Sequence, residues 1–440
     1  MQNLKEVTVA QELNQKGIFL YKHQKHKEAL EFFDKSIKED EMYLDAYYNK
    51  ALCHIKKDEI VKARQCYENI LLIDKSQGEA YWHLGNMTHL LNKDYNKAID
   101  LYNKAMYYEF DIEKIYMSKG IVLEEANKFE DALKCYNRVI SKNKSNYEAR
   151  IRKGQLYIKL NKINEALRTY DEAIMINPDE SQAYHYKFIL LKIQNKMEEA
   201  EFVIDKAFEL FNEDSMIILD KISIYQYKKE YDKALEILDD LIKEHGEQIR
   251  LIITKAQILA SKKDIESAIL MFRKAVDLNP QLLEAHYQLG LMYMIQEDFE
   301  KSCNKFKNIL DLSEENIIED YRIISLYYYP MMLDKISKQD EAQVYYKKAI
   351  NEYRIMEMYN PGNVDIVISK CLCLKETKQY EKALDGVNYL LSLNENLGEA
   401  YFVRSQIHND LGEIQKSKED MLKSRKLSSS IEKLMNLVNK

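Results

Sequence analysis

Small and aromatic residues recur along the chain at helical spacing. In the segment KINEALRTYDEAIMINP, Ala166, Tyr170 and Ala173 are four and then three positions apart, and Pro178 ends the segment. Residues at this spacing lie on one face of an α-helix, and proline cannot continue a helix. The segment KDIESAILMFRKAVDLNP has the same frame around Ala268, 102 positions after Ala166. The pattern therefore indicates a recurring amphipathic helix.

The frame repeats with a period of 34, since 102 is three times 34. The corresponding small residues are Ala29, Ala63, Ala98, Ala132, Ala166, Ala200, Ala234, Ala268, Ser302, Ala342, Ala383 and Ser417. Successive positions are 34 or 35 residues apart, except for gaps of 40 and 41 on the two sides of Ala342. A second small residue recurs twelve positions earlier, at Gly17, Ala51, Gly120, Gly154, Ala256 and Gly290, with Gly85 offset by one. A fixed period of this length is typical of stacked structural repeats.

The period and the order of small and aromatic positions resemble the tetratricopeptide repeat, a 34-residue helix–turn–helix unit. The segment YQLGLMY, residues 287–293, is the best single match. The resemblance implies an all-α fold, a right-handed α-solenoid superhelix built from about twelve antiparallel helix hairpins. It also implies that the small residues allow the two helices to approach closely, while the aromatic residue fills the wedge towards the next hairpin.

The repeat positions predict an order of segments along the chain. We expect an N-terminal tail over 1–9, nine regular repeats over 10–313 and an irregular, elongated tenth hairpin over 314–361. Two further repeats over 362–428 and a C-terminal capping helix over 429–440 complete the array. The last range has a capping-box signature followed by apolar residues at helical spacing.

The two long gaps lengthen both helices of the tenth hairpin on the same edge. At 1.5 Å per residue the six or seven extra residues project by about 9–10 Å. The apolar residues of this projection are Ile317, Tyr321, Tyr353, Met356 and Tyr359. They form either a docking ledge for a partner or the packing between the two extended helices. Pro330 in the first helix predicts a bend near Leu326.

In the family that this chain resembles, the first helices of successive repeats line a concave groove. The groove position of each repeat is Asn14, Tyr48, Trp82, Met117, Ile151, His185, Leu219, Ile253, Tyr287, Tyr327, Ile368 or Phe402. The residues selected as candidate partner-binding positions are Tyr48, Trp82, Met117, His185, Tyr287, Tyr327 and Phe402. Large amphipathic rings are frequent anchors in interfaces. The alternative is that these side chains pack against neighbouring helices.

Composition adds no sign of catalysis. The 440 residues contain 11 glycines and 4 prolines and carry a net charge of −7, so nothing favours nucleic-acid binding. No phosphate-binding loop, zinc-protease motif or nucleophile elbow is present, and we expect no catalytic residue, cofactor or metal. The six cysteines have no zinc-knuckle spacing, which favours buried thiols in a reducing compartment.

Two other functions need separate tests. Chaperone adaptors with this repeat hold an acidic tail with a carboxylate clamp of lysine, asparagine and basic residues at fixed positions. In this chain Asn49 matches the clamp, whereas the other clamp positions hold Asn14, Ile18, Glu79 and His83. An RNA-binding helical array is disfavoured because the groove positions lack basic residues.

These observations predict a non-catalytic protein–protein interaction scaffold that binds an extended or helical partner segment. By analogy with similar arrays, it would be one subunit of a larger assembly, such as a ciliary trafficking complex or a ubiquitin-ligase scaffold. No apolar run reaches the ~18 residues of a membrane span, so we expect an intracellular, cytoplasmic or ciliary protein without membrane insertion. Homo-oligomerisation stays open.

Overall fold

The computed structural model describes residues 8–313 and 319–427. Within these residues all regular secondary structure is α-helical. The chain divides into two compact units, Met1–Asp220 and Lys221–Lys440, which we call unit 1 and unit 2. The predicted capping helix over 429–440 lies outside the described residues. Helix α1 begins at Val9, and the Thr8 side chain accepts a hydrogen bond from the Gln11 amide in a capping box.

Unit 1 contains α1 (Val9–Lys22), α2 (His26–Glu39), α3 (Leu44–Lys56), α4 (Ile60–Ile73), α5 (Gly78–Asn92), α6 (Tyr95–Tyr107), α7 (Ile112–Glu125), α8 (Phe129–Lys142), α9 (Tyr147–Lys159), α10 (Ile163–Ile176), α11 (Ser181–Ile193) and α12 (Met197–Leu210). Helix α13 (Ser215–Tyr227) contains the boundary between the units. Unit 2 continues with α14 (Tyr231–His245), α15 (Ile249–Ser261), α16 (Ile265–Leu278), α17 (Leu283–Ile295), α18 (Phe299–Leu312), α19 (Asp320–Lys335), α20 (Gln339–Tyr359), α21 (Val364–Glu376), α22 (Tyr380–Leu393), α23 (Gly398–Asp410) and α24 (Ile414–Leu427).

The 24 helices of the described residues pair into hairpins, as the period of 34 predicts. The first helices from α1 to α11 and from α15 to α23 each pack against the second helix that follows, and the second helices from α2 to α10 and from α14 to α22 each contact the next first helix. Each turn inside a hairpin has one residue in the left-handed region. These residues are Gln24, Asp58, Lys93, Asn127, Asn161, Asn195, Lys229, Lys263, Glu297, Ser337, Lys378 and Gly412. Only one of them is glycine, although glycine adopts this region most easily. The low glycine content is therefore compatible with tight turns.

The recurring glycine of the first helix lies against the aromatic residue of the second helix in the same hairpin. A Cβ added to the glycine would come within 2.5–2.8 Å of the ring in five pairs. The pairs are Gly17 with Phe33, Gly85 with Tyr102, Gly120 with Tyr136, Gly154 with Tyr170 and Gly290 with Phe306. The close helix approach expected from the small residues is present.

Several of these aromatic residues also pack on the next hairpin. Tyr170 stacks on Tyr186 with ring centroids 5.4 Å apart, and Phe306 stacks on Tyr328 at 5.0 Å. Tyr67 stacks on the imidazole of His83 at 4.4 Å. In these three repeats the aromatic anchor therefore joins its own hairpin to the following one, and its burial contributes about 1.5–3 kcal/mol.

The tenth hairpin has the longest helices of the described residues. Helix α19 has 16 residues and α20 has 21, whereas the other helices have 13 to 15. Pro330 is buried inside α19, which continues from Asp320 to Lys335, so the expected bend does not interrupt the helix. Because proline has no N–H, it cannot donate the helical hydrogen bond to the Leu326 carbonyl.

Among the described residues, every helix is too short or too polar to cross a lipid bilayer.

Candidate functional site

Four of the groove positions predicted in unit 1 lie on first helices and remain partly exposed, whereas two others, Asn14 and Ile151, are buried. Tyr48, Trp82, Met117 and His185 are on α3, α5, α7 and α11. All four have intermediate exposure, so each side chain is divided between packing and solvent. We call the row of these positions in unit 1 the unit 1 face.

Trp82 joins two successive hairpins of unit 1. Its indole Nε1 donates a hydrogen bond to the Ser118 hydroxyl on α7 over 2.9 Å. Its ring centroid is 5.6 Å from that of Phe110, and the Lys114 ammonium lies 5.8 Å from the indole centroid. These contacts fix the indole orientation. A partner would therefore bind a preorganised ring and lose little conformational entropy at this position.

Tyr48 and His185 also have polar partners. The Tyr48 hydroxyl lies 3.4 Å from the Gln77 side-chain oxygen, to which it donates. The His185 Nδ1 lies 2.6 Å from the Asp220 carboxylate, which is 7% exposed. Burial raises the pKa of Asp220, while the hydrogen bond from His185 opposes this effect. His185 is therefore an internal partner of Asp220 as well as a surface residue.

In unit 2 the predicted groove residues differ in exposure. Tyr287 on α17 and Tyr327 on α19 are partly exposed, whereas Phe402 on α23 is only 8% exposed. The Tyr287 ring centroid lies 5.5 Å from that of Tyr321. Phe402 packs against Met421 of α24, so little of its ring can contact a partner. We call the side of α17, α19, α21 and α23 that carries the groove positions Tyr287, Tyr327, Ile368 and Phe402 the unit 2 face.

The residues of the predicted ledge differ in their exposure to solvent. Tyr353 and Met356 are fully buried, and the Tyr353 hydroxyl donates to the Ile323 carbonyl, 2.5 Å away. These two side chains pack the hairpin together and offer no surface to a partner. Tyr359 is 79% exposed, and Tyr321 lies beside Tyr287 on the unit 2 face. Ile317 lies outside the described residues.

The positions of a carboxylate clamp carry a different network. The Asn49 side chain donates to the Asn14 oxygen over 3.1 Å, and Asn14 donates to the Tyr43 hydroxyl over 3.3 Å. Glu79 forms a weak pair with His83 at 3.8 Å. The asparagines therefore bind each other, and a carboxylate occupies a position where the clamp requires a cation.

The six cysteines are buried free thiols. Burial raises the pKa of Cys66, Cys135 and Cys303 to about 11 and that of Cys371 to about 12, so these thiols stay protonated at neutral pH. In the described part of the chain, no three histidine, cysteine or acidic side chains come together as they would around a metal ion.

Sequence reasoning missed three residues next to the groove positions. Phe110 and Lys114 flank the Trp82 indole, and the His83 ring covers Tyr67 of the preceding hairpin. Phe110 lies in the turn before α7, where the repeat pattern places no anchor. Position His83 could have been found, because Tyr186 and Tyr328 occupy the same repeat position and stack in the same way.

Comparison with known proteins agrees with the repeat architecture. Tetratricopeptide repeat family models match residues 44–77, 123–187 and 249–282. Hsp70-Hsp90 organizing protein 3 of Arabidopsis thaliana is 26% identical over 121 residues, which are 28% of this chain and 22% of that protein. The BBSome complex member BBS4 of Bos taurus is 24% identical over 140 residues, 32% of this chain and 27% of that protein. This chain thus matches only about a quarter of each relative's length.

Among solved structures, the yeast Tom70 crystal structure aligns with 98% of this chain and 99% of its own, with a TM-score of 0.50 and 14% identity. At this identity the likeness concerns the fold alone. The 34-residue period, the hairpins of the described residues and the family matches lead to one conclusion. The chain is a tetratricopeptide-repeat protein, an all-α solenoid of stacked helix hairpins.

Proposed function

We propose that this protein is a non-catalytic scaffold, which binds an extended or helical segment of a protein partner along its first helices. The observation that carries the proposal is the row of partly exposed Tyr48, Trp82 and Met117 on successive first helices of unit 1. A repeated row of outward side chains suits a linear segment, because each repeat can contact the next residues of the partner.

Preorganisation supports binding at Trp82 in particular. The indole is held by Ser118 and flanked by Phe110, while part of its ring stays exposed. Tryptophan and tyrosine rings that are fixed before binding are frequent hot spots of interfaces. Tyr48 and Trp82 are therefore the residues on which we expect partner affinity to depend most.

The relatives suggest assemblies rather than one partner. By analogy with the BBSome complex member, the protein would be one subunit of a larger complex, as in ciliary or trafficking assemblies. A ubiquitin-ligase scaffold is a second analogy of the same kind. In either case we propose an intracellular, cytoplasmic or ciliary location, and a partner that is a protein.

The similarity to Hsp70-Hsp90 organizing proteins favours a chaperone-associated adaptor as the alternative. The hydrogen bond between Asn49 and Asn14 and the carboxylate of Glu79 disfavour a carboxylate clamp at the first repeats. An RNA-binding array is the remaining alternative, and the exposed groove residues offer no basic row to phosphates.

The elongated hairpin is a second proposed contact region. We propose that the C-terminal end of α20 serves as a docking ledge through exposed residues, of which Tyr359 belongs to the set predicted from sequence. Tyr353 and Met356 support it from inside. We also propose that this irregular hairpin, residues 314–361, interrupts an array of regular repeats over 10–313 and 362–428.

The test of the groove is a double substitution, Tyr48→Ser with Trp82→Gln, in the full chain. The matched control is Tyr107→Ser with Phe202→Gln, since these residues are 78% and 72% exposed on the second helices α6 and α12. We expect the groove variant to retain at least ~10-fold less partner in affinity purification with mass spectrometry, because aromatic hot spots contribute about 2 kcal/mol each. Equal retention by the groove variant and the wild type would reject the proposal.

A further inference from the structure

Three first helices of unit 2 have a carboxylate one helical turn before the predicted groove position, whereas α15 has Arg250 there. The pairs are Glu284 and Tyr287 in α17, Asp365 and Ile368 in α21, and Glu399 and Phe402 in α23. Residues three positions apart lie on the same face of a helix, with the earlier one nearer the N-terminus. The carboxylates therefore lie along one border of the unit 2 face.

Helix α19 continues this border in spite of its different length. Asp320, Ile324 and Tyr327 are four and then three residues apart, so they share one helical face. The first helices α17, α19, α21 and α23 contact one another in this order. In α19 the carboxylate is therefore seven residues before the groove position instead of three, because this helix has an additional turn at its N-terminal end.

Three of these carboxylates have no ion-pair partner in the described part of the chain. Asp320, Asp365 and Glu399 form no ion pair there with lysine, arginine or histidine. Burial raises the pKa of Asp365 and of Glu399. The carboxylate of Asp320 adds to the effect at Asp365, and that of Asp365 adds to the effect at Glu399. Negative charge is thus concentrated at this border and is not compensated by a described neighbour.

The lysine and arginine side chains of the same helices pair with other residues or lie at the opposite helix ends. Arg322 pairs with Glu352 of α20, Lys370 with Glu357 of α20 and Arg404 with Asp420 of α24. Lys335 and Lys375 lie near the opposite, C-terminal ends of α19 and α21. The first-helix lysines and arginines therefore stabilise the hairpins and leave the N-terminal border acidic.

An apolar strip runs beside this border. Partly exposed Tyr287 and Leu291 of α17 are followed by Ile324 and Tyr327 of α19 and by Ile368 of α21. A carboxylate in the first helical turn also interacts favourably with the helix dipole. The interaction with the helix dipole explains why one helix has an acidic residue in its first turn. It does not explain why several carboxylates without ion-pair partners lie next to an apolar strip.

We propose that the unit 2 face binds a protein segment in which lysine or arginine residues alternate with apolar ones. The cations would pair with Asp320, Asp365 and Glu399, and the apolar residues would cover the strip beside them. This inference rests on the proposed scaffold function and adds the chemistry of the partner. An acidic segment or a nucleic acid would be repelled by the same carboxylates.

The spacing of the helices fits such a segment. Packed helices lie about 8–10 Å apart. In an α-helical partner, cations seven residues apart are separated by about 10.5 Å. In an extended partner, cations three residues apart are separated by about 10 Å. Either conformation can present one cation to each carboxylate of the border.

The test uses two fluorescein-labelled 18-residue probe peptides (about 27 Å as helices) with the same leucine pattern. One has lysine and the other glutamate at the remaining positions. Anisotropy is measured with the full wild-type chain, with the triple variant Asp320→Asn, Asp365→Asn, Glu399→Gln, and with the control Asp340→Asn, Asp385→Asn, Glu381→Gln. The control residues are exposed on the second helices α20 and α22, and both variants change the net charge equally.

We expect the lysine probe to bind the wild type and the control equally and the triple variant about tenfold more weakly. Partly exposed ion pairs contribute up to about 1 kcal/mol each, and 1.4 kcal/mol is a factor of ten. Equal binding of the lysine probe to all three proteins would overturn the inference, as would its failure to bind the wild type. Equal affinity of the two probes would overturn it as well. The proposed scaffold function fails independently, if the Tyr48 and Trp82 variant retains its partners.

Discussion

The ring of Tyr170 lies directly against Gly154 of the facing helix, where a Cβ added to residue 154 would be 2.5 Å from Tyr170 Cε1. The same ring stacks on Tyr186 of the next hairpin, with centroids 5.4 Å apart. Tyr170 is completely buried. One side chain thus determines both the helix distance inside a hairpin and the contact between two hairpins.

Gly154→Val should destabilise the protein. Helix propensity favours valine over glycine, but the added methyl groups would overlap the Tyr170 ring, and overpacking costs about 1–3 kcal/mol. Thermal and urea unfolding followed by circular dichroism would measure the loss. In the background of Tyr170→Ala the same substitution should cost less, because the ring is absent. An equal cost in both backgrounds would contradict the steric explanation.

The Arg322 side chain should be essential to the tenth hairpin. It is 3% exposed, pairs with Glu352 over 2.6 Å and donates to the carbonyls of Leu310 and Ser313 at the end of α18. Arg322→Leu should cost about 3 kcal/mol, because the mostly buried Glu352 carboxylate and the helix-end carbonyls lose their cationic donor.

The control for this prediction is Arg64→Leu, which removes a partly exposed pair with Glu68 inside α4. It should cost about 0.5 kcal/mol or less. The double variant Arg322→Leu with Glu352→Leu should be more stable than Arg322→Leu alone. Similar unfolding midpoints for Arg322→Leu and Arg64→Leu would refute the role of the Arg322–Glu352 pair.

His286 should make unit 2 sensitive to mild acid. The imidazole is 4% exposed and its Nε2 lies 2.9 Å from the Pro280 carbonyl. Burial lowers the pKa of His286 in the folded state, with the nearby Lys305 adding to the effect. In the unfolded chain the His286 imidazole has a pKa of about 6.5, so just below this pH it binds a proton more readily than the imidazole of the folded chain does. The free energy of unfolding therefore does not depend on His286 well above about pH 6.5, and it decreases as the pH falls below this value.

The comparison is with His286→Gln, whose side-chain amide can donate to the Pro280 carbonyl but does not titrate. Melting temperatures measured between about pH 7.5 and about pH 5.5, across the ordinary histidine pKa, should fall more for the wild type than for the variant. Parallel pH profiles of the two proteins would show that His286 titrates without a shift.

The exposed end of α20 should contribute to partner binding. Met358 and Tyr359 are 82% and 79% exposed, so Met358→Ser with Tyr359→Ser should change stability by no more than about 0.5 kcal/mol. If the ledge docks a partner, the double variant should lose at least one protein that the wild type retains in affinity purification. The matched control is Met175→Ser with Tyr107→Ser, at residues that are 83% and 78% exposed. Retention of every partner by the α20 variant would reject the ledge.

The repeat pattern by itself determined the helices and their pairing, because its information is local and periodic. Alanine, glycine and aromatic residues at fixed spacing specify an amphipathic helix and the distance to its neighbour, as Gly154 and Tyr170 show. The long gaps in the period likewise indicated the hairpin in which α20 reaches 21 residues.

Only the tertiary structure decided which apolar side chains are available to a partner. Tyr353 and Tyr359 look alike in the sequence, yet one is fully buried and the other is 79% exposed. Trp82 is oriented by Ser118, 36 residues away, and the fate of Phe402 depends on α24. Exposure is the result of contacts between residues that are distant in the chain, which a periodic pattern does not contain. For the same reason, the charge of the border formed by Asp365 and Glu399 became apparent only when the partners of every nearby cation were known.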